Sequence, residues 1–167
     1  MSRAFGKMTI DTPSDREISM TRVFHAPRKM VFEAFTKPEL VSRWLTGPEG
    51  WTMPICEIDL RVGGNYRYGW RHADGKTMGS HGTYKEIVPP ERVVVTESFD
   101  DPWYPGESVG TTTFVEEGGR TKVTLTVQYD SKETRDGVLK SGMEHGVAHS
   151  FDTLEKILES KGQAQAS

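Results

Sequence analysis

The spacing of hydrophobic residues along the chain changes character twice. Between residues 17 and 25 apolar side chains fall on alternate positions, which predicts a β-strand with one buried face. After Pro27 the apolar residues recur at helical spacing, and Pro38 divides this segment into two short helices, the second ending at Trp44. Alternation returns beyond residue 51. The pattern therefore predicts one strand, two short helices and then a series of strands.

Turn residues divide the central part of the chain. Gly63-Gly64, Asp74-Gly75, Pro89-Pro90 and Gly118-Gly119 separate the alternating runs. Links this short favour antiparallel neighbours. The segment DDPWYPG, at residues 100–106, is longer and carries two rings. The predicted strands lie near residues 52–61, 64–72, 77–87, 92–99, 108–117 and 120–129.

The last part of the chain has a helical period. Met143, Val147, Ser150, Leu154 and Ile157 share one helical face, so a single long amphipathic helix is predicted over roughly 131–160. Its apolar stripe is too long to remain exposed to water, and the sheet is the only predicted surface large enough to bury it. We therefore predict an α+β fold of two layers. A twisted sheet curls, and one straight helix does not fill it, so a cavity is expected between them.

Length and composition limit the organisation and the partners. The chain has 167 residues, which favours a single domain over 16–160, with a flexible arm at 1–15 and a flexible tail at 161–167. The formal net charge of −3 disfavours nucleic acid as a partner. Cys56 is the single cysteine, which excludes an internal disulfide and favours a cytoplasmic location. The sequence has neither a signal-peptide pattern nor a membrane-spanning run.

Three aromatic residues share one face of a predicted strand. Tyr66, Tyr68 and Trp70 follow Gly63-Gly64, which supplies a tight reversal or bulge. If this face is concave, the rings form a wall of the cavity. The alternative is that they fill the core completely, and the sequence leaves both open.

Four segments resemble the START-like superfamily, and more closely the bacterial homologues of the C-terminal domain of the heat-shock-protein-90 ATPase activator. They read APRKMVFEAFTKPELVSRWL, DLRVGGNYR, ADGKTMGSHGTYKEIVPPERVVVTESF and GMEHGVAHSFDTLEKILES, and the resemblance covers about residues 17–160. It implies a helix-grip fold, in which a curved antiparallel sheet wraps around a long C-terminal helix and encloses a cavity. It also implies binding of an apolar small molecule, as in many members, whereas a few members are cyclases or hydrolases. The family often has Trp where this chain has Val147.

We therefore expect a small apolar or aromatic ligand between sheet and helix. Arg61, Tyr68 and His81 are candidates to orient it, although the sequence favours a cross-strand ion pair on a solvated face for Asp59 and Arg61. Four aromatic residues at or near loops, Trp44, Trp51, Trp103 and Tyr104, either border the entrance of the cavity or plug the open end of the sheet. The full set of expected ligand-binding residues is Trp44, Trp51, Arg61, Tyr66, Tyr68, Trp70, His81, Phe99, Trp103, Tyr104, Phe114, Met143 and Val147.

Other chemistry has weaker support in the sequence. His145 and His149 have metal-ligand spacing, but they fall on the predicted solvent face without a third ligand, so no metal or cofactor is expected. An enzyme using the same cavity, such as a cyclase, dehydratase or hydrolase, is a second hypothesis; its candidate acids and bases are Asp59, Glu97 and His81, and no catalytic pair is assigned. The sequence is also compatible with a module that contacts a chaperone ATPase, and with self-association as a homodimer.

Overall fold

A computed structural model describes the chain from Arg3 to Ala166, with side chains described as far as Lys161. Along this part of the chain, strands and helices follow one another in the order β1 (Arg3–Phe5), β2 (Met8–Asp11), β3 (Glu17–Phe24), α1 (Arg28–Thr36), α2 (Pro38–Trp44), β4 (Trp51–Ile58), β5 (Asn65–His72), β6 (Thr77–Val88), β7 (Arg92–Phe99), β8 (Ser108–Glu117), β9 (Arg120–Gln128), α3 (Lys132–Lys140) and α4 (Met143–Ala166).

The described strands form one antiparallel sheet in the order β1-β2-β3-β9-β8-β7-β6-β5-β4. Strands β4 to β9 follow one another as a meander, as the short links predict, and β9 pairs with β3 along its whole length. The sheet is curved, and α4 packs across its concave face. This arrangement is the α+β helix-grip architecture that the sequence predicts.

The N-terminal segment differs from the prediction of a flexible arm over 1–15. Residues 3–11 form a β-hairpin that extends the sheet beyond β3, with Gly6 at a φ of +60° in the turn. Met8 and Ile10 on β2 are buried, and Ile10 lies opposite Met20 of β3. Burial of these two side chains explains why the segment is ordered; residues 1 and 2 lie outside the described part of the chain.

The C-terminal helical segment is two helices, not the single helix predicted over 131–160. Ser131 caps the start of α3 by accepting a hydrogen bond from the Thr134 backbone N–H at 3.1 Å. The chain then breaks at Gly142, whose φ of +76° is incompatible with a continuous helix. Helix α4 extends to Ala166, over most of the range predicted as a flexible tail at 161–167, and Ser167 lies outside the described residues.

Helix α4 is attached to the sheet by both apolar and charged contacts. Phe151 of α4 meets Phe24 of β3 edge to face, with ring centroids 5.6 Å apart. Beside them the Arg22 side chain is only 1% exposed and donates to Asp152 at 2.6 Å and Glu155 at 3.0 Å. These contacts fix the helix over β3, at one side of the concave face. Among the described helices, none has the length and apolar character needed to cross a membrane.

Candidate functional site

A cavity of about 560 Å³ lies between the concave face of the sheet and the start of α4. Strands β3 to β9, helices α1 to α3 and the segment after α2 contribute the other lining residues. Of the residues expected to bind ligand, those that line it are Trp44, Trp51, Tyr66, Tyr68, Trp70, Phe99, Trp103, Tyr104, Phe114, Met143 and Val147. Arg61 and His81 do not.

Strand β5 supplies one aromatic wall. Tyr66 and Tyr68 have ring centroids 4.7 Å apart, and Tyr68 and Trp70 are 5.9 Å apart. The preceding turn depends on two glycines: Gly63 has a φ of +86°, and a side chain at Gly64 would collide with carbonyl oxygens of the same turn. The reversal therefore needs both glycines, and alternation then directs all three rings toward the cavity.

Two of these rings are held by hydrogen bonds from their polar ends. The Tyr66 hydroxyl donates to the Thr96 carbonyl of β7 at 2.9 Å. The Trp70 indole N–H donates to the Leu45 carbonyl, directly after α2, at 2.7 Å. Each ring therefore presents its apolar surface to the cavity while its polar atom is satisfied elsewhere.

Trp44 forms part of the interior wall and does not lie at the entrance. Its side chain is only 2% exposed, and its indole N–H donates to the Ala34 carbonyl of α1 at 2.8 Å. It packs against Phe35 and Phe151, at centroid distances of 4.7 and 6.1 Å. Phe114 of β8 lies in the same group, 5.2 Å from Phe35.

The long loop between β7 and β8 borders the cavity where it meets solvent. Trp103 lines the cavity while remaining 48% exposed. Tyr104 lies next to it at a centroid distance of 4.9 Å and donates a hydrogen bond to the Ser108 hydroxyl at 3.2 Å. Phe99 completes this ring group, 5.8 Å from Trp103. Trp51, half-buried at the start of β4, stacks edgewise on His72 at 5.1 Å.

Helix α4 supplies the remaining wall through its first two turns. Met143 and Val147 line the cavity together with His145 and Ser150, and the Ser150 hydroxyl accepts a hydrogen bond from the Gly47 N–H at 3.0 Å. His145 is exposed, as the helical pattern predicts, but its ring also contacts Phe5 at a centroid distance of 4.8 Å.

Arg61 and His81 lie outside the cavity, which corrects their assignment as orienting residues. Arg61 follows the end of β4 in the turn and pairs with Asp59 at 2.9 Å, with both side chains exposed. His81 alternates with the fully buried Ser80, so its ring points to the outer face of β6, where Nδ1 lies 2.7 Å from Asp100. Asp59 and Arg61 thus form an ion pair on a solvated face, the second of the two arrangements compatible with their sequence positions.

Glu97 is a cavity residue outside the expected ligand-binding set. Along β7, Val93, Val95, Glu97 and Phe99 line the cavity on alternate positions. Within the part of the chain whose side chains are described, nothing donates a hydrogen bond to its carboxyl group. Burial raises the pKa of Glu97 from 4.5 to about 7. The same alternation could have indicated this residue, because Glu97 lies on the strand face that carries the apolar residues Val93, Val95 and Phe99.

The tyrosines around the cavity are neutral near neutral pH. Burial raises the pKa of Tyr84 to about 12, and it raises the pKa values of Tyr66, Tyr68 and Tyr129 as well. Their hydroxyl groups are therefore hydrogen-bonding groups and not charges. Burial likewise raises the pKa of Cys56, to about 11, so its thiol is protonated.

Comparison with known proteins agrees with this fold. The sequence model of the family described as "Activator of Hsp90 ATPase homolog 1-like protein" matches residues 25–159. The chain belongs to this family. No curated protein matches the sequence.

Solved structures with a similar fold superpose on this chain over almost their whole length. A protein from Rhodobacter sphaeroides is 28% identical, with a TM-score of 0.87 over 92% of this chain and 99% of that one. A protein from Chromobacterium violaceum is also 28% identical, with a TM-score of 0.77 over 87% of this chain and 99% of that one. An AHSA1-like protein from Aeromonas hydrophila, 21% identical, shares the fold with a TM-score of 0.69 over 84% of this chain and 93% of that one.

The structure also bears on metal chemistry in this member of the activator-homologue family. The side chains described from residue 3 to 161 contain no group of three or more His, Cys, Asp or Glu placed to hold a metal ion. His149 is exposed on α4.

Proposed function

We propose that this protein binds a small, mostly apolar or aromatic molecule in the cavity between the sheet and α4. The observation that carries the proposal is the combination of size and lining. A volume of about 560 Å³ lies within the range of small-molecule sites, roughly 300–1,000 Å³. Aromatic and aliphatic side chains form most of the walls, and the polar ends of several rings are engaged elsewhere.

The hydrophobic effect gives such a site useful affinity. Burial of apolar surface contributes roughly 25 cal/mol per Å², so a ligand that buries about 300 Å² gains about 7 kcal/mol before the costs of association. The walls supply the complementary apolar surface from several strands at once. Little reorganisation is needed, because the rings that form the walls already pack against one another.

A catalytic role in the same cavity has less support. Glu97 has the raised pKa that a general acid or base needs, but among the described side chains none forms a hydrogen bond with its carboxyl group. His81 and Asp59, which the sequence also offers as acids or bases, lie outside the cavity. A nucleophile or second acid–base group facing Glu97 would be required, so we favour binding over catalysis.

The family name raises a different function, contact with a chaperone ATPase. The described residues form one sheet with its covering helices, and the apolar cavity between them is the main candidate site. The cavity remains without a role if such contact is the function. We therefore place small-molecule binding first.

The test uses a substitution that fills the cavity from a strand. Gly110 of β8 lines the cavity, and a Cβ atom there would meet Val95 at 3.6 Å and Leu125 at 3.9 Å, which is ordinary contact. Gly110→Leu should therefore fold and occupy the space of a ligand. Thr111→Leu is the matched control, because the neighbouring residue points to the opposite face of the same strand.

The measurement is the fluorescence of phenylnaphthylamine, a neutral apolar probe, titrated into each protein. We expect saturable binding to the wild type and to Thr111→Leu, and at least a tenfold loss of affinity in Gly110→Leu. Circular dichroism establishes that both variants are folded. The proposal is wrong if the wild type binds neither this probe nor other small aromatic molecules, or if folded Gly110→Leu binds as tightly as the wild type.

A further inference from the structure

The described lining of the cavity carries one acidic side chain and no basic one of the lysine or arginine type. Glu97 supplies the acid, from the middle of the concave face on β7. His145, exposed at the start of α4, is the other ionisable group besides tyrosines in this lining. A carboxyl group without a cation in an otherwise apolar wall is an unusual element, because burying a charge without a partner is costly.

Several tyrosines line the cavity together with Glu97. The residues that interact with it electrostatically are Tyr66 and Tyr68 of β5, Tyr104 of the β7–β8 loop, and Tyr129 after β9. The Tyr66 and Tyr104 hydroxyl groups donate to Thr96 and Ser108, not to Glu97. Because no described side chain donates to the Glu97 carboxyl group, its hydrogen-bonding capacity is available to a ligand in the cavity.

A cavity that combines one carboxylate with a lining of aromatic rings is a favourable environment for a cationic nitrogen. The carboxylate supplies an ion pair, and the ring quadrupoles add cation–π attraction. A neutral ligand would leave the charge uncompensated, and an anionic ligand would add repulsion. The Glu97 carboxylate should therefore discriminate among cationic, neutral and anionic apolar ligands by their charge.

We propose that the ligand is an apolar or aromatic amine whose ammonium group pairs with the Glu97 carboxylate. The apolar body of such a molecule lies against the ring walls formed by Tyr66, Tyr68 and Trp70. This inference rests on the proposed function, and it names the chemical class that the cavity selects.

The pairing predicts a defined dependence on pH. Glu97 must be ionised to pair, and its pKa of about 7 in the free protein makes about one molecule in ten competent at pH 6 and about nine in ten at pH 8. The affinity for an amine that stays protonated should therefore rise about tenfold over this range. The other groups near the site are the neutral tyrosines, Glu107 close to Tyr66, and His145 on the helix side.

The experiment compares three naphthalene derivatives of similar shape as competitors of phenylnaphthylamine. They are naphthylmethylamine, naphthylmethanol and naphthoate, which carry a positive, a neutral and a negative group. At pH 8 we expect the amine to bind at least tenfold more tightly than the alcohol, and naphthoate to bind most weakly. The amine should lose about tenfold at pH 6, whereas the alcohol should change little.

Glu97→Gln provides the specific variant, because it keeps the shape of the side chain and removes the charge. We expect it to reduce the affinity for the amine to that of the alcohol and to abolish the pH dependence. Glu107→Gln is the control, since this exposed carboxylate belongs to the adjacent loop and does not line the cavity. The wild-type comparison at two pH values tests the same point without any substitution.

The outcomes separate this inference from the proposed function. If the alcohol displaces the probe as well as the amine does, or if folded Glu97→Gln keeps a preference for the amine, the pairing is wrong and binding of apolar molecules stands. If neither the probe nor any of the three derivatives binds the wild type, both proposals are overturned.

Discussion

Glu97 gives the sharpest prediction for stability, because its ionisation acts on folding even without a ligand. Above neutral pH the native protein must hold a carboxylate against an apolar wall, whereas the unfolded chain leaves it in water. The native state therefore binds its proton more tightly than the unfolded state does. The free energy of unfolding must fall as the pH rises from the unfolded pKa of 4.5 to the folded pKa of about 7, and it is level above that.

The magnitude follows from the size of the shift. A change in pKa from 4.5 to about 7 corresponds to about 3 kcal/mol of stability lost between acid and mildly alkaline conditions. Glu97→Gln removes the titrating group and keeps the shape of the side chain. The variant should therefore exceed the wild type in stability by about 3 kcal/mol at pH 8 and by under about 1 kcal/mol at pH 5.

Urea denaturation at pH 5, 6, 7 and 8, followed by tryptophan fluorescence and circular dichroism, measures this difference. Comparison at each pH cancels the contributions of all other titrating groups, and Glu107→Gln controls for the loss of one negative charge. A difference between Glu97→Gln and wild type that is the same at all four pH values would refute the reasoning. It would mean that the carboxyl group is solvated in the native state and that the wall around it is not apolar.

Two further predictions concern the frame of the cavity. Gly82→Ala should cost about 1–3 kcal/mol in a urea titration, because the added methyl group collides with the Thr96 carbonyl and the Tyr66 ring; a loss below about 0.5 kcal/mol would contradict that close approach. Arg22→Met should cost about 2 kcal/mol in the same titration, because it removes the hydrogen bonds to Asp152 and Glu155 and leaves Glu155 with only its exposed partner Lys7; a loss below about 0.5 kcal/mol would contradict this.

The order of the elements was predictable because the chain carries strong local signals. Proline and glycine mark most of the boundaries, and short links, apart from the longer β7–β8 loop, favour antiparallel neighbours in the meander from β4 to β9. The hairpin at residues 3–11 was missed because strands of three and four residues offer too few positions to show alternation. The break at Gly142 was missed because glycine is tolerated inside helical patterns, and its positive φ is set by how α3 and α4 pack.

The site residues were predictable only on strands whose residue types show which face points into the cavity. Alternation shows which side chains share a face, but not which face is concave. On β5 the three aromatic rings indicate which face is concave, because large rings favour the buried face. A histidine on β6 and an arginine in the turn after β4 do not, because both are equally compatible with solvent; the predictions for His81 and Arg61 were therefore wrong. Glu97 shares its strand face with Val93 and Val95, which also line the cavity. These apolar neighbours indicate an inward orientation, whereas the charge of Glu97 alone suggests a solvent-exposed position.

The tethering of the rings explains why the cavity does not simply close. Trp44, Trp70 and Tyr66 each donate a hydrogen bond to a backbone carbonyl of a neighbouring segment, at Ala34, Leu45 and Thr96. Collapse into the cavity would break these bonds and leave buried polar atoms unsatisfied, at about 1–3 kcal/mol each, which opposes the gain in ring contact. The side chains that make the walls apolar therefore also fix their shape. Under the proposed function, a ligand would enter a space that is already formed, and its binding energy would not be consumed in ordering the walls.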